Sequence, residues 1–198
     1  MTDKEVDIQE EKLGQAIEEQ ALKGPVIEGT LTGEFVIVES TEPSRELYDK
    51  NRYGEPQEDK KIYYSFLEAM YLFERGKLHV NDIKDKALDK KTFLKKALKA
   101  EPNFMIRYAV FRDLRKRGYI VKTALKFGAD FRVYERGVKP GEDHARWIVF
   151  PVSESNTLTW FEFSAKNRVA HSTRKRLLLA IVDAEGECTF YECRWLRP

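Results

Sequence analysis

The tripeptide Glu101-Pro102-Asn103, near the middle of the chain, constrains the fold most. Proline lacks the N–H that a helix interior uses, and it pushes the preceding residue out of the helical region. Before it, Asp89–Ala100 reads as a short helix. After it, Phe104–Arg117 carries Ile106, Val110 and Leu114 at helical spacing, with Gly118 as the stop signal. One long helix through both stretches is therefore excluded, and the break is the candidate domain boundary. The expected division is an acidic N-terminal segment at 1–20, an N-terminal domain at 21–101 and a C-terminal domain at 102–198.

The other elements follow from period and punctuation. Val26–Val38 alternates around Thr32-Gly33, as a hairpin does. Ser65-Phe-Leu-Glu68 is a capping box opening a helix that bears Leu67, Met70 and Tyr71 and ends at Gly76. In the second half, strands are expected at Tyr119–Leu125, Asp130–Glu135 and Trp147–Val152. Thr159-Trp-Phe-Glu162 caps a helix running to about Ser172. Arg176–Val182 and Cys188–Trp195 read as final strands joined by the turn Asp183-Ala-Glu-Gly-Glu187. The fold class is thus α+β in two domains. The N-terminal one is an α/β domain with a small antiparallel sheet, and the C-terminal one has a mixed, mostly antiparallel sheet flanked by helices.

Composition bounds the function. At 198 residues, with 42% hydrophobic and 34% charged, the chain can build a real core. It has no apolar run near the roughly 20 residues of a membrane-spanning helix. Its polar, acidic beginning does not read as a secretory signal, so a cytoplasmic location is expected. Cys188 and Cys193 lie on one strand and, with three scattered histidines, match no structural zinc spacing. The 35 Lys+Arg against 33 Asp+Glu leave a net charge of +2, which hides local bias. The stretch 164–178 holds Lys166, Arg168, Arg174, Lys175 and Arg176 with no acid, and Asp183, Glu185, Glu187 and Glu192 follow with no base before Arg194. Two adjacent blocks of opposite sign suggest two different partners or surfaces.

Phosphate loops of the GxxxxGK[ST] type, the GxGxxG fingerprint and the GxSxG elbow are all absent. No acidic pair stands out as a two-metal site, so a metal-free reaction is the one to consider. RNA carries its own nucleophile, the 2′-hydroxyl. Cleaving through it needs a base, an acid for the 5′-oxygen leaving group and a cation for the phosphorane. Tyr134 ends an expected strand between Arg132 and Arg136, His144 follows in a polar loop, and Lys175 opens the apolar strand Leu177–Val182. By composition alone each also fits a bland role in packing or solvation.

The wording of these segments resembles the archaeal tRNA-splicing endonuclease (tRNA-intron lyase) family. The resemblance rests on YAVFRDLRKRGY at Tyr108–Tyr119, VKTALKFGADFRVYERG at Val121–Gly137, Asp143-His144-Ala145 and NRVAHSTRKRLLLAIVD at Asn167–Asp183. YGEP at Tyr53–Pro56 and LEAMYLFERGKL at Leu67–Leu78 extend it over most of 26–198. It implies a catalytic triad of Tyr134 as general base, His144 as general acid and Lys175 stabilising the pentacovalent phosphate. No metal or other cofactor is implied, and the products would carry a 2′,3′-cyclic phosphate and a 5′-hydroxyl. The implied substrate is precursor tRNA, cut at a bulge-helix-bulge structure.

The same resemblance implies two further sites. Arg168 and Arg194 match the arginines that clamp a bulge base from the opposite subunit, although Arg194 also fits an edge-strand solubility device. The turn with Asp183, Glu185 and Glu187 matches a loop that docks in a basic pocket of a neighbour. Its plain alternative is a solvated hairpin turn. Docking would join two dimers into a tetramer, with Cys188–Trp195 pairing across each dimer axis. A loop on the same chain as the triad favours a homotetramer, and a heterotetramer with a separate structural subunit is the alternative. His171 and His79 carry no catalytic expectation. The competing readings are a structural subunit of the same assembly and a non-catalytic RNA-binding module.

Overall fold

The computed structural model describes residues 12–20, 22–124, 128–141 and 143–196. The first eleven residues of the acidic segment, the end of the expected strand Tyr119–Leu125 and Glu142 lie outside them. The chain is an α+β protein with two compact units. One comprises Ile17–Phe104, and the other is built chiefly on Met105–Pro198, with the described start of the chain up to Ala16.

In the N-terminal unit, strands β1 (Ile27–Thr32) and β2 (Phe35–Glu39) form the hairpin, turning at Gly33 with φ +62°. Helix α2 (Glu42–Asn51), β3 (Glu55–Pro56), β4 (Lys61–Ser65), α3 (Phe66–Glu74), β5 (Leu78–Asn81) and α4 (Lys90–Ala100) follow. The five strands run in the order β3-β4-β2-β1-β5. Three pairings are antiparallel, but β5 returns alongside β1 in parallel, with Ile27 opposite Leu78. The sheet is therefore mixed rather than simply antiparallel, because the intervening elements carry the chain back to the end where β1 starts. Helix α3 is buried from Phe66 to Leu72, so it is the core of this unit rather than a surface helix. Ser65 caps it, and the Glu68 carboxylate accepts from the backbone N–H groups of Ser65 (3.1 Å) and Gly54 (3.0 Å). Glu18, on helix α1 over residues 12–20, accepts a hydrogen bond from the Tyr53 hydroxyl.

The second unit contains α5 (Phe104–Lys116), β6 (Ile120–Thr123), β7 (Phe131–Tyr134), β8 (Trp147–Ser153), α6 (Trp160–Ser172), β9 (Arg176–Val182) and β10 (Cys188–Cys193). Gly118, at φ +81°, ends α5, and Tyr119 N–H closes the turn on the Leu114 carbonyl at 3.1 Å. The sheet order is β10-β9-β8-β7-β6. All neighbours are antiparallel except β8 and β9, which run parallel because α6 carries the chain back across the sheet. Ala170 of α6 packs on Ile148, Phe150, Leu177 and Leu179 of these two strands. Strand β10 ends at Cys193, two residues earlier than the sequence reading placed it, so Arg194 and Trp195 lie beyond the strand. Among the described residues no helix is long and apolar enough to cross a membrane.

Candidate active site

Sheet register gathers the site. Val133 of β7 stands opposite Trp147 of β8, and Trp147 stands opposite Arg176 of β9. Since β7 is antiparallel and β9 parallel to β8, the end of β7 and the start of β9 meet where β8 begins. Tyr134 is the residue after Val133, and Lys175 is the residue before Arg176. Both therefore sit at one end of the sheet, two strand spacings or about 10 Å apart in backbone position. The loop entering β8 carries His144 to the same end.

The three side chains have different surroundings. Tyr134 is 4% exposed and packs with Ile120, Val138 and Ala145. His144 is exposed, and its backbone N–H donates to the Asp143 carboxylate at 2.6 Å. Lys175 is half-buried, its Nζ donating to the Thr173 carbonyl at 2.9 Å. Its backbone N–H holds the Ala170 carbonyl at 2.8 Å, and Arg174 takes a left-handed φ of +54° to make the tight exit from α6.

A cleft of about 260 Å³ opens here, lined by Glu135, Val138, Asp143, His144, Arg146 and Arg176. Arg146 pairs with Glu135 and lies over the Trp147 ring at 4.8 Å. Arg176 donates to Glu192 at 3.2 Å. The cleft thus gathers two guanidinium groups and an imidazole beside the Glu135 and Asp143 carboxylates, and its cationic members suit an anionic group such as a phosphodiester. The sequence reading did not single out Arg146 or Arg176. Arg176 stood within the acid-free block, but nothing local shows that the sheet turns it toward His144.

The two arginines that flank Tyr134 in sequence part company in the fold. Arg132, two residues earlier on β7, shares its face of the sheet. Arg136 turns elsewhere, with Nε donating to the Arg117 carbonyl at 2.8 Å and its guanidinium over Tyr119 at 4.7 Å.

Arg168 is exposed on α6 and lines a cavity of about 550 Å³ with Phe163, Asn167, His171 and Trp195 among its walls. His171 meets the Trp195 ring edge-on at 5.1 Å. Arg194 is exposed and bonds its Nε to Glu192 at 2.5 Å. In the acidic turn, the Asp183 carboxylate accepts the Glu187 N–H at 2.9 Å, and Gly186 adopts φ +81°. Asp183 thus shapes the turn, while Glu185 and Glu187 are exposed. His79 is exposed on β5. The two cysteines are free and half-buried. Burial, with Asp113 nearby, raises the Cys188 thiol to about 12, so it is a packing group rather than a nucleophile. Among the described residues no three His, Cys, Asp or Glu side chains are placed to hold a metal ion.

Residues 27–94 match the family described as tRNA intron endonuclease, N-terminal domain, and residues 104–190 match tRNA intron endonuclease, catalytic C-terminal domain. The chain belongs to the tRNA intron endonuclease family. A tRNA-splicing endonuclease of Methanothermobacter thermautotrophicus is 42% identical over 172 residues, covering 87% of this chain and 99% of the relative. One from Nanoarchaeum equitans is 47% identical over 147 residues, 71% of this chain and 92% of the relative. One from Pyrococcus horikoshii is 39% identical over 171 residues, 86% and 97% of the two chains. This member of the family is an endoribonuclease. Within it, Tyr134, His144, Lys175 and Arg168 fall inside the catalytic-domain match, whereas Glu192 and Arg194 lie beyond its end.

Proposed function

We propose that the chain is a cytoplasmic enzyme that cleaves precursor tRNA at intron–exon junctions within a bulge-helix-bulge structure. The 2′-hydroxyl before the scissile bond attacks the phosphorus, leaving a 2′,3′-cyclic phosphate on one fragment and a 5′-hydroxyl on the other. Tyr134 takes the 2′-hydroxyl proton, His144 protonates the departing 5′-oxygen, and Lys175 stabilises the pentacovalent phosphate. No metal step is needed, because nucleophile and leaving group are both handled by proton transfer. The carrying observation is the meeting of the β7 end, the β9 start and the loop before β8 at one end of the sheet.

Residues 102–198 would form the nuclease domain and 21–101 the N-terminal structural domain, a division supported by the two family matches. Arg168 and Arg194 would hold a bulge base by stacking, each serving the site of an opposite subunit. The turn bearing Asp183, Glu185 and Glu187 would dock in a neighbour, joining two dimers into a homotetramer. The test is to incubate a bulge-helix-bulge RNA with the purified chain in EDTA. Cuts confined to the bulges are expected. Their ends should resist phosphatase until acid opens the cyclic phosphate, and the other fragment should accept a 5′-phosphate from a kinase. Intact RNA that is nevertheless bound would favour a non-catalytic binding module.

A further inference from the structure

We propose that helix α4 of the N-terminal unit, with the loop that precedes it, is a second RNA-contacting surface that grips the phosphate backbone of an RNA helix. It rests on the reading of the chain as an RNA-cleaving enzyme. Helix α4 reads KKTFLKKALKA, with five lysines and no acidic residue. Phe93 and Ala97, both 0% exposed, anchor it to its unit. At 3.6 residues per turn, Lys91, Lys95 and Lys99 fall on the opposite side, about 6 Å apart along the axis, with Lys96 beside them. All four are exposed, and among the described residues none of them forms a close ion pair, although the charge of Lys91 is felt by the nearby Asp89 carboxylate. Lys90 alone in this helix is paired, with Glu74 at 2.5 Å.

The acids nearest this stripe are turned to the backbone. Asp89 caps α4 by accepting the Thr92 N–H at 2.6 Å. Asp82 accepts the N–H groups of Lys84 at 2.7 Å and Lys86 at 3.0 Å, folding the loop so that both lysines remain exposed. Between loop and helix lies a cleft of about 460 Å³ whose lining includes Lys96, Lys99, Asp82 and Ile83, the last 76% exposed.

A face meant only for solubility intersperses its signs. Here the negative groups serve as caps, and like charges repeat on successive turns. That arrangement is relieved by a polyanion with regularly spaced charges. Lysine is a point charge on a flexible stem, so such a surface binds backbone without reading sequence. It would add affinity for the helical parts of the substrate, leaving the choice of cut to the other unit.

The test uses the full chain with Lys91→Gln, Lys95→Gln and Lys99→Gln combined, and a control with Lys23→Gln, Lys50→Gln and Lys60→Gln. Two RNAs are titrated, a bulge-helix-bulge RNA made uncleavable by 2′-deoxy groups at the cut sites and a plain duplex of equal length. The α4 triple should weaken both about tenfold at low salt and lower the slope of log Kd against log[salt] by about 2, while the control moves Kd less than twofold. Equal effects of the two triples would overturn the proposal. So would a triple that alters solution mass but not RNA affinity, since the stripe would then serve an acidic protein surface. Cutting of a cleavable RNA by the unsubstituted chain is scored separately. Its absence would strike the nuclease reading and leave the binding result standing.

Discussion

The Trp147 indole N–H donates to the Glu192 carboxylate at 2.8 Å, tying the first residue of β8 to a strand two places away in the sheet. Between them, Arg176 of β9 donates to the same carboxylate at 3.2 Å, and Arg194 adds a third donor at 2.5 Å. Glu192 thus joins an arginine of the cleft to the arginine proposed to hold a base. Partial burial pushes its carboxyl up, but the hydrogen bonds from Trp147, Arg194 and Arg176 outweigh this and hold it at about 2.

That relationship predicts a pH-dependent contribution to stability. An unfolded glutamate titrates near 4.3, above the folded value, so the contribution is complete above that pH and is lost as pH falls toward about 2. Glu192→Gln is expected to cost about 1 kcal/mol at pH 7. In melts at several pH values, the Tm gap to the parent chain should narrow progressively as pH falls from about 4 toward about 2. A gap that stays constant down to about pH 2.5 would show that the cost of the substitution does not come from the charge of Glu192.

Tyr134→Phe, His144→Ala and Lys175→Ala should each slow cleavage by about 10²-fold or more with RNA affinity retained. Stability separates their roles further. His144 is exposed, so His144→Ala should leave Tm nearly unchanged. Tyr134 is buried, so Tyr134→Ala should destabilise by about 3 kcal/mol, whereas the phenylalanine variant keeps the packing. Single-turnover rates beside Kd values decide the matter. Equal losses of binding and cutting in all three variants would sink the triad.

The acidic turn calls for two kinds of substitution, because Asp183 is part of its scaffold while Glu185 is free of that duty. Glu185→Lys tests charge alone and should weaken assembly. The Asp183→Lys/Glu185→Lys pair should take a tetramer to dimers in light scattering. An unchanged mass in both would leave the segment an ordinary solvated turn.

In the N-terminal unit, Ser65→Ala should cost about 1 kcal/mol through loss of the α3 cap. Glu68→Ala should cost more, about 2–3 kcal/mol, because it strands the N–H groups of Gly54 and Ser65 in a buried place. Urea midpoints measure both. If the serine change proved the costlier, the cap rather than the buried carboxylate would be what holds this corner.

Several elements were legible because their causes are local. The capping boxes Ser65/Glu68 and Thr159/Glu162 each span three residues, and the apolar runs of β9 and the hairpin at Gly33 announce themselves within a few more. Helix α2 escaped notice because only Ser44, Leu47 and Asn51 are buried, leaving almost no apolar stripe. Strand β4, Lys61–Ser65, was hidden against the cap of the next helix, and β10 is shorter than its apolar pattern.

By itself the sequence determined the capped helices α3 and α6, the strands of the C-terminal half to within a few residues, and which family segments carry Tyr134, His144 and Lys175. Those outcomes depend on period, caps and wording over ten or so residues. Only the tertiary structure decided that the end of β7, the start of β9 and the loop before β8 share one end of a sheet. It alone placed Arg146 and Arg176 beside His144 and set Trp147 against Glu192, a residue 45 positions away. The physical reason is that strand order and parallel return depend on α6 packing across β8 and β9, a long-range choice that no local pattern encodes.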